Sequence, residues 1–402
     1  GNILFVAWEL KSAAEAIGAG RKPSLLADGV LWPDCLIEVE PSGSSGGTIV
    51  WEWHAWDHLI QDYDPTKPNY GVVANHPELI DLNFVRNGGA DWLHINALDY
   101  NAELDQIVLS VPFFNEIWII DHSTTTAQAA THSGGNSGKG GDLLYRWGNP
   151  AAYRGGTASD QTLFFQHNAR WIRPGLPGEG RLLIFNNGNG RFAGSYSSIE
   201  EIITPVNTGG SYTLPASGQY GPATAEWSYS ANPLESFYSP FISGAQRLPN
   251  GNTLICDGPG GQFFEVNAAG DELWRYINPV GPGGTSVDQG TAPSTNRAFR
   301  AERYPADYSG LAERSLRHHG TVEGNPNATF QVIDTSSEGD DIVIRWNSIS
   351  DAAYSIHYSP SMDPGTWAEI ATVTAIGTEA FFVDQDSART SQGKGFYRVS
   401  DL

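Results

Sequence analysis

The chain has 402 residues, of which 40% are hydrophobic and only 17% are charged, and it contains 46 Gly, 24 Pro, 13 Trp, 16 Tyr and 17 Phe. This composition excludes a disordered chain, which would be poor in aromatic residues, and a helical bundle, which would be rich in Ala, Glu, Lys and Leu. The formal charge of −22 repels nucleic acid and anionic membrane, and no apolar run reaches the length of a membrane span. We therefore expect no nucleic-acid partner and no membrane insertion.

A two-part phrase recurs along the first two thirds of the chain. One part is a Gly turn followed by an apolar strand, and the other is a strand, a Gly turn and a Trp-x-aromatic run. The first part reads GNILF at 1–5, DQIVLSV at 105–111, GRLLIF at 180–185 and GNTLIC at 251–256. The second part occupies 36–57, a run that ends at Pro150, 225–233 and 263–279. Units of three or four short strands that cannot bury both faces alone predict an all-β fold, a β-propeller over residues 1–325.

The start of the chain falls inside this phrase. GNILF lacks the lead-in that precedes GNTLI at 248–255, and no inner strand comes before it. We therefore expect the first blade to be truncated and the intact parent to have about six blades. The Trp of each phrase is expected to pack between neighbouring blades.

The second part of the first phrase carries candidate metal ligands. WEWHAWDH contains His54 and His58 with Asp57 between them, and neutral imidazole is a common ligand of transition metals. Trp53, in the same aromatic cluster, could stack on a phenol or a sugar. Asp62 and Asp64 are a weaker candidate for a structural Ca²⁺ site.

Three predicted inner strands carry polar residues toward the channel of the propeller. They are DWLHINAL at 91–98, FFQHNARWI at 164–172 and ISGAQRLP at 242–249. Counted back from the following strand, His94 and His167 share one register, and Ser243 takes it in the next unit. Two imidazoles at one depth of a channel indicate a functional site. The neighbouring polar residues are candidate substrate ligands: Asn96, Asn168, Gln166 and Ser243.

A Gly-rich turn is expected to place an arginine near the same end of the propeller channel. FNNGNGR at 185–191 ends in Arg191, and the glycines allow the backbone to approach a ligand closely. His94, His167 and Arg191 are therefore the central candidates for a functional site.

From about residue 326 the pattern changes to strands that alternate apolar and polar residues. Aromatic residues are spaced there as in a small β-sandwich of the fibronectin type III kind, and GNPNA at 324–328 is a plausible linker. The predicted domains are thus a propeller over 1–325 and a fibronectin type III-like module over 326–402. We expect no chemistry from the second domain.

The inner-strand phrases resemble the bacterial arylsulfate sulfotransferase family. The resemblance rests on DWLHINALDYNAELDQIVLSV, QHNARWI, FNNGNGR and YSPFISGAQRLPNGNTLI and covers roughly residues 1–320. It implies a six-bladed propeller, usually exported, that moves a sulfuryl group between phenols without a nucleotide donor. An active-site histidine takes the group covalently, helped by further histidines and an arginine.

The resemblance also assigns roles residue by residue and implies that His94, His167 and Arg191 are catalytic. His94 and Asn96 match the family's D-x-x-H-x-N phrase, His167 its Q-H phrase and Arg191 its F-x-N-G-x-G-R phrase. One position departs, since the sulfo-accepting histidine of the family comes from a later blade, where this chain has Ser243. Either an earlier histidine takes over or this branch does different chemistry.

Three functions remain open from the sequence. The first is an exported arylsulfotransferase-like enzyme of a bacterium, secreted, periplasmic or on the cell surface, with a small aromatic or sulfated substrate and no cofactor. The second is a metal-dependent propeller enzyme, an oxidoreductase or a hydrolase, with a transition metal on His54, His58, His94 and His167. The third is a propeller that binds a ligand without catalysis.

Overall fold

The computed structural model describes residues 1–84, 88–288, 290–291, 293–305, 307–312, 314, 322–323, 332–392 and 394–401. These residues form two compact units, one of Gly1–Ile277 with Arg297–Arg303 and one of Asn278–Asn296 with Tyr304–Leu402. The predicted linker at 324–328 and the predicted boundary between residues 325 and 326 lie outside the described residues, so both stay predictions.

The first unit is built from antiparallel sheets whose strands follow one another in sequence, the arrangement of propeller blades. We number these sheets as blades I to IV. The three strands of blade I are Ile3–Trp8, Asp34–Ser42 and Gly46–His54. The four strands of blade II are Ala97–Asn101, Gln106–Val111, Glu116–Asp121 and Tyr145–Trp147. Those of blade III are His167–Trp171, Leu182–Asn186, Ser198–Ile202 and Trp227–Tyr229. Those of blade IV are Gly244–Arg247, Thr253–Asp257, Gln262–Val266 and Glu272–Ile277.

Short elements connect and cap the blades. Lys11–Ser12 pairs with Val30–Leu31, and Leu59–Ile60 pairs with Ile80–Asp81. The α-helices of this unit are Ala13–Gly18 and Thr126–Ala129, each begun by a capping box. Its 3-10 helices are Pro23–Leu25, Ala55–Asp57, Val73–Asn75, Pro150–Tyr153, Ala158–Asp160 and Leu234–Ser236. Among the described residues, no helix is both long and apolar enough to cross a membrane.

Apolar side chains fill the spaces between neighbouring blades. One buried cluster joins blades I and II, a second joins blades II and III, and a third joins blades III and IV. Trp53 and Trp147 from the repeated phrase lie in these clusters, as predicted. Trp274 does not, because its side chain is 41% exposed and its indole donates to Glu265.

The second unit contains a β-sandwich. One sheet has Val332–Glu338, Asp341–Asn347 and Glu379–Asp384, and the other has Ala353–Ser359, Ala368–Thr374 and Phe396–Asp401. Trp346, Ile344 and Ile356 belong to the buried cluster between the sheets. The remaining helices of this unit are Pro282–Gly284, Ser309–Leu311, Pro364–Thr366 and Ser387–Thr390. The predicted fold class, an all-β protein with a propeller and a β-sandwich, is therefore confirmed. The relationship of the sandwich to fibronectin type III stays a prediction.

Candidate active site at the mouth of the inner strands

The turns that lead into the first strands of blades II to IV have unusual backbone. His94, Phe165, Ile242 and Ser243 have φ of +57°, +59°, +46° and +87°. Residues other than glycine adopt the left-handed region at a cost, and such residues cluster at functional sites. These turns therefore identify one end of the inner strands as a candidate functional site.

The turns also correct one prediction. His94 lies three residues before Ala97, the strand residue that pairs with Ser110. His167 is itself a strand residue and pairs with Phe185, with a bulge before Arg170. The two histidines therefore do not share a register, because the left-handed turn and the bulge shift the two blades differently.

His94 forms a close pair with Asp91. Its Nδ1 lies 2.5 Å from Asp91 Oδ2, and its side chain is 39% exposed. A carboxylate accepts, so Nδ1 carries the hydrogen and the lone pair is on Nε2. The hydrogen bond to Asp91 raises the pKa of the His94 imidazole above its ordinary 6.5. Among the residues that the structure describes, Nε2 makes no hydrogen bond, so it is available to a reactant.

Asp34 is buried beside this pair. It begins the second strand of blade I and is fully inaccessible to solvent. Burial raises its pKa to about 7, with the negative charge of Asp91 acting in the same direction. The backbone N–H of Ile95 donates to Oδ2 at 3.5 Å, while Oδ1 makes no hydrogen bond within the described part of the chain. The site therefore holds two carboxyl groups in different environments.

His167 differs from His94 in every respect that bears on reactivity. Its Nδ1 lies 2.8 Å from Asn187 Oδ1, and its Nε2 accepts from the backbone N–H of Ile242 at 3.2 Å. Burial lowers its pKa to about 4, and the charges of His94 and Arg300 act in the same direction. His167 is thus neutral, with both nitrogens engaged, and it connects blade III to blade IV.

Aromatic rings join the two histidines. The His94 ring stacks on Phe113 at 5.0 Å between centroids, Phe113 lies 5.8 Å from Phe165, and Phe165 lies 5.7 Å from His167. Both Phe side chains are half-buried. This row borders the imidazole of His94 with half-buried aromatic rings, a surface on which another ring can pack.

Of the four other inner polar residues, three bond to a neighbouring blade, whereas Ser243 bonds within its own turn and blade. Asn96 donates to Gln166 O at 2.9 Å, and Gln166 donates to Glu116 O at 2.6 Å. Asn168 Oδ1 accepts from the backbone of Ala245 in blade IV at 2.9 Å. Ser243 Oγ donates to Phe241 O and accepts from Gly258 N. The buried oxygens Asn96 Oδ1 and Gln166 Oε1 have no partner among the described residues.

The guanidinium of Arg191 packs against two aromatic rings. It lies 4.2 Å from the Tyr196 ring centroid and 5.2 Å from that of Phe164, and Nη2 donates to Ser198 Oγ at 2.9 Å. Gly188 supplies the close approach in this turn, since a Cβ there would meet Tyr196 O at 1.8 Å. Arg300, by contrast, acts on the pKa of His167 and was not found by sequence reasoning.

The residues around the first WEWHAWDH phrase lie in other surroundings. Trp53 is fully buried and donates to Gly141 O at 2.7 Å, so it has no exposed face to stack on a phenol or a sugar, the role that the sequence suggested for it. His54 Nδ1 lies 3.3 Å from Glu9, whereas His58 Nδ1 lies 2.8 Å from Asp142. The structure therefore does not bring His54 and His58 to a common point. Asp64 accepts from Thr66 in a tight turn, and a Ca²⁺ ion near it stays a prediction.

A cavity of about 410 Å³ lies at the far ends of the inner strands of blades II and III. Its lining includes Tyr100, Glu103, Trp171 and Arg173. Tyr100 and Trp171 follow Ala97 and His167 along their strands, and Glu103 and Arg173 come just after those strands end. His94, by contrast, precedes Ala97. The cavity is therefore not the space around the Asp91–His94 pair.

Spacing in the sequence offered some signals for these residues and none for others. Asp91 and His94 are three residues apart, a spacing that the D-x-x-H phrase displays. Asp34 and Arg300 come from distant parts of the chain, and their approach to the histidines depends on how the blades pack. No local pattern marks either of them.

Solved structures resemble the chain only distantly. A protein of unknown function from Bacteroides caccae is 12% identical, with 78% of this chain and 82% of that chain covered and a TM-score of 0.27. Virginiamycin B lyase from Staphylococcus aureus is 8% identical, with 71% and 62% covered and a TM-score of 0.26. A protein from Lactobacillus plantarum is 10% identical, with 85% and 68% covered and a TM-score of 0.25.

No curated protein matches the chain. The family model described as arylsulfotransferase (ASST) matches residues 30–287, which include blades II to IV, all but the first strand of blade I, Asp91, both inner histidines and Arg191. The chain therefore belongs to the arylsulfotransferase family and is a sulfotransferase-type enzyme.

Proposed function

We propose that this enzyme moves a sulfuryl group between phenolic compounds through a covalent intermediate on His94. The Nε2 lone pair attacks the sulfur of an aryl sulfate, the N–S bond forms and the S–O bond to the phenol breaks. The phenolate leaves with that electron pair and takes a proton from water. An acceptor phenol then loses its proton to water, its oxygen attacks the sulfur, and the N–S bond returns its electrons to Nε2.

The observation that carries this proposal is the Asp91–His94 pair. With Nδ1 hydrogen-bonded to a carboxylate, attack by Nε2 makes a sulfated ring of positive charge, which Asp91 neutralises. His167 lacks this arrangement, because it is buried and neutral and its Nε2 already accepts a hydrogen bond from the backbone N–H of Ile242. Ser243 is also engaged at its hydroxyl, so His94 is the nucleophile that the geometry favours.

Cationic and aromatic groups suit the remainder of such a substrate. Sulfuryl transfer develops charge on the oxygens around sulfur, as phosphoryl transfer does, and fixed positive groups lower its barrier. Arg191 is the candidate for this role on the family phrase, and the influence of Arg300 on His167 makes it a second candidate. The Phe113–Phe165 row supports an aromatic rather than an aliphatic donor.

Transfer from p-nitrophenyl sulfate to phenol tests the proposal. His94→Ala should lower kcat/KM by at least about 10³-fold, because the nucleophile is lost. Asp91→Asn should lower it roughly 10²-fold or more, because the carboxylate that orients and neutralises the ring is lost. His76→Ala is the control, since His76 is an exposed histidine with its own carboxylate partner, Glu78.

Intact-protein mass after a single turnover without acceptor provides a second measurement. Wild type and His76→Ala should gain the mass of one SO₃ group, and peptide mapping should place it on His94. A folded wild-type protein that neither transfers nor becomes sulfated with a panel of aryl sulfates would exclude this function. Sulfation that survives His94→Ala would move the intermediate to another residue.

Export from a bacterial cell is part of the same proposal. A charge of −22 favours solubility in a salty or extracellular setting. In this setting the sandwich of the second unit serves as an accessory module. Fractionation of the source bacterium should find the protein in the periplasm, on the surface or in the medium, and retention in the cytoplasm would contradict export.

A further inference from the structure

Three side chains outside the site around His94 converge near the outer part of blade II. They are His58, His132 and Asp142, and their ligating atoms all lie within 4.8 Å of one another. His58 follows the 3-10 helix Ala55–Asp57, while His132 and Asp142 enclose the glycine-rich segment 133–141. His58 was a predicted metal ligand, but His132 and Asp142 were not, and His54 lies elsewhere.

The hydrogen bonds of His58 determine which of its nitrogens is free to bind. Its Nε2 lies 2.8 Å from Ala129 O, and a carbonyl oxygen can only accept, so Nε2 carries a hydrogen. In the neutral ring Nδ1 then presents a lone pair, and Asp142 Oδ1 lies 2.8 Å away. A lone pair and a carboxylate oxygen at this distance repel each other unless a cation or a proton stands between them.

A second imidazole faces the same oxygen. His132 Nδ1 lies 2.7 Å from Asp142 Oδ1, and its ring meets the His58 ring edge-on at 5.9 Å. Asp142 is 5% exposed and His58 is inaccessible to solvent, whereas the His132 side chain is 61% exposed. One buried imidazole, one buried carboxylate and one surface imidazole thus point at a common position close to solvent.

We infer that His58, His132 and Asp142 bind a divalent transition-metal ion of the zinc class. Two imidazoles and a carboxylate are ligands that zinc accepts, with water in the fourth position. Ligands of a tetrahedral zinc ion are about 3.3 Å apart. The observed separations of 2.7 and 2.8 Å need to open by only about half an ångström, which rotation of the exposed His132 allows.

The surroundings of His58 are those of a fixed ligand. Its Nε2–H to Ala129 O is the outer bond that commonly orients a metal-binding imidazole. Trp53 stacks on the ring at 5.7 Å with 6° between the planes. Gly141 packs against the same edge of the ring as Ala129 O, since a Cβ there would lie 2.6 Å from Nε2. His122 offers a contrast, because its two nitrogens meet Glu38 and Asp105 on opposite edges and form no common point.

Such an ion would link two separate parts of the chain. His132 and Asp142 lie at the two ends of segment 133–141, and His58 belongs to the chain that leaves blade I. One ion bound to all three closes this loop and fixes it against blade I. The expected role is therefore stability of the loop, and the sulfuryl transfer does not depend on it.

Metal binding can be measured on the whole chain with the metal ion alone. After removal of metals with a chelator, calorimetric titration with Zn²⁺ should show one equivalent bound, and Co²⁺ should give the visible absorption of a tetrahedral site. Loss of an outer partner weakens such sites roughly 10- to 100-fold, so loss of a ligand in His132→Ala should cost at least about 100-fold. His132 is at the surface, so this variant should keep the fold.

Two controls separate this site from other histidine–carboxylate pairs. His76→Ala removes a similarly exposed pair with Glu78, and His54→Ala removes the histidine beside Glu9. Both variants should bind as wild type does. Zn²⁺ should also raise the Tm of wild type and of both controls, but not that of His132→Ala or Asp142→Asn.

Two results would overturn the inference. If wild type binds no equivalent of Zn²⁺ or Co²⁺, the three side chains are held by their hydrogen bonds and the cluster is not a metal site. If His132→Ala binds as tightly as wild type, the ion lies at a different site.

Discussion

Asp91 and His94 are three residues apart, and a single backbone feature brings their side chains together. His94 has φ of +57°, which turns its ring back so that Nδ1 meets Asp91 at 2.5 Å. The carboxylate then fixes the tautomer and leaves the lone pair on Nε2. Reactivity at this site therefore follows from one left-handed residue and one carboxylate.

The pH dependence of transfer should report this pair. Asp91 raises the pKa of His94 above 6.5, and only the ring with a free Nε2 lone pair can attack. We therefore expect kcat/KM for an aryl sulfate to rise with pH through a value above 6.5. In Asp91→Asn the inflection should move down, because the charge that stabilises the imidazolium is gone. A pH–rate profile of both proteins measures this, and an unmoved inflection would separate Asp91 from the reacting group.

Asp34 predicts a pH dependence of stability. Its pKa is about 7 in the folded chain against an ordinary 3.8, so the folded state binds its proton more tightly than the unfolded state. This contribution is complete below about pH 3.8 and is lost as the pH rises through about 7. Asp34→Asn should therefore flatten the loss of unfolding free energy between these values. Urea unfolding at several pH values measures it, with the exposed Asp62→Asn expected to behave as wild type.

Within blade II, a buried ion pair connects the outer strand to its neighbour. Arg146 on the strand Tyr145–Trp147 and Glu116 are both inaccessible to solvent, with Nε and Nη2 at 3.0 and 2.5 Å from the two carboxylate oxygens. The remaining Nη1 donates to Pro77 O and Leu79 O. The Arg146 guanidinium therefore connects its own strand to the strand of Glu116 and to the loop that contains Pro77 and Leu79.

Removal of the arginine should destabilise the blade. Arg146→Met leaves Glu116 buried without its partner, which costs about 3–5 kcal/mol in such pairs. Glu116→Gln with Arg146→Met should recover part of that loss, because no charge is then left buried. Urea unfolding of the single and double variants measures both effects. Equal stability of the single variant and wild type would mean that water reaches Glu116.

Features that depend on residues close together in the sequence could be predicted from it. Features that depend on contacts between distant parts of the chain could not. The Gly turn and Trp phrases are local, and they predicted blades and the burial of Trp53 and Trp147. The register of His94 and His167 was predicted wrongly because a left-handed turn and a bulge leave no pattern in the residue types. His132 joins His58 only because segment 133–141 folds back, and nothing near His58 indicates this.

At the scale of the whole molecule, the acidic surface acts against the donor proposed for this enzyme. The chain carries −22 at neutral pH, whereas an aryl sulfate is an anion. Its attraction to the site must come from local groups such as Arg191 and Arg300 rather than from the net field. Salt screens the field of distant charges more than contacts within the site, because the screening length falls from about 30 Å at 0.01 M to about 10 Å at 0.1 M.

Salt should therefore increase the efficiency of the first half-reaction. Between about 0.01 and 0.15 M NaCl we expect kcat/KM for p-nitrophenyl sulfate to rise roughly 3- to 10-fold, as repulsion of the anionic donor is screened. The KM of a neutral phenol acceptor should not change, and it serves as the internal control. Initial rates at fixed pH with varied donor and then varied acceptor measure both. A fall in donor kcat/KM with salt would mean that the local guanidinium field exceeds the net charge of the chain at the distance from which the donor is captured.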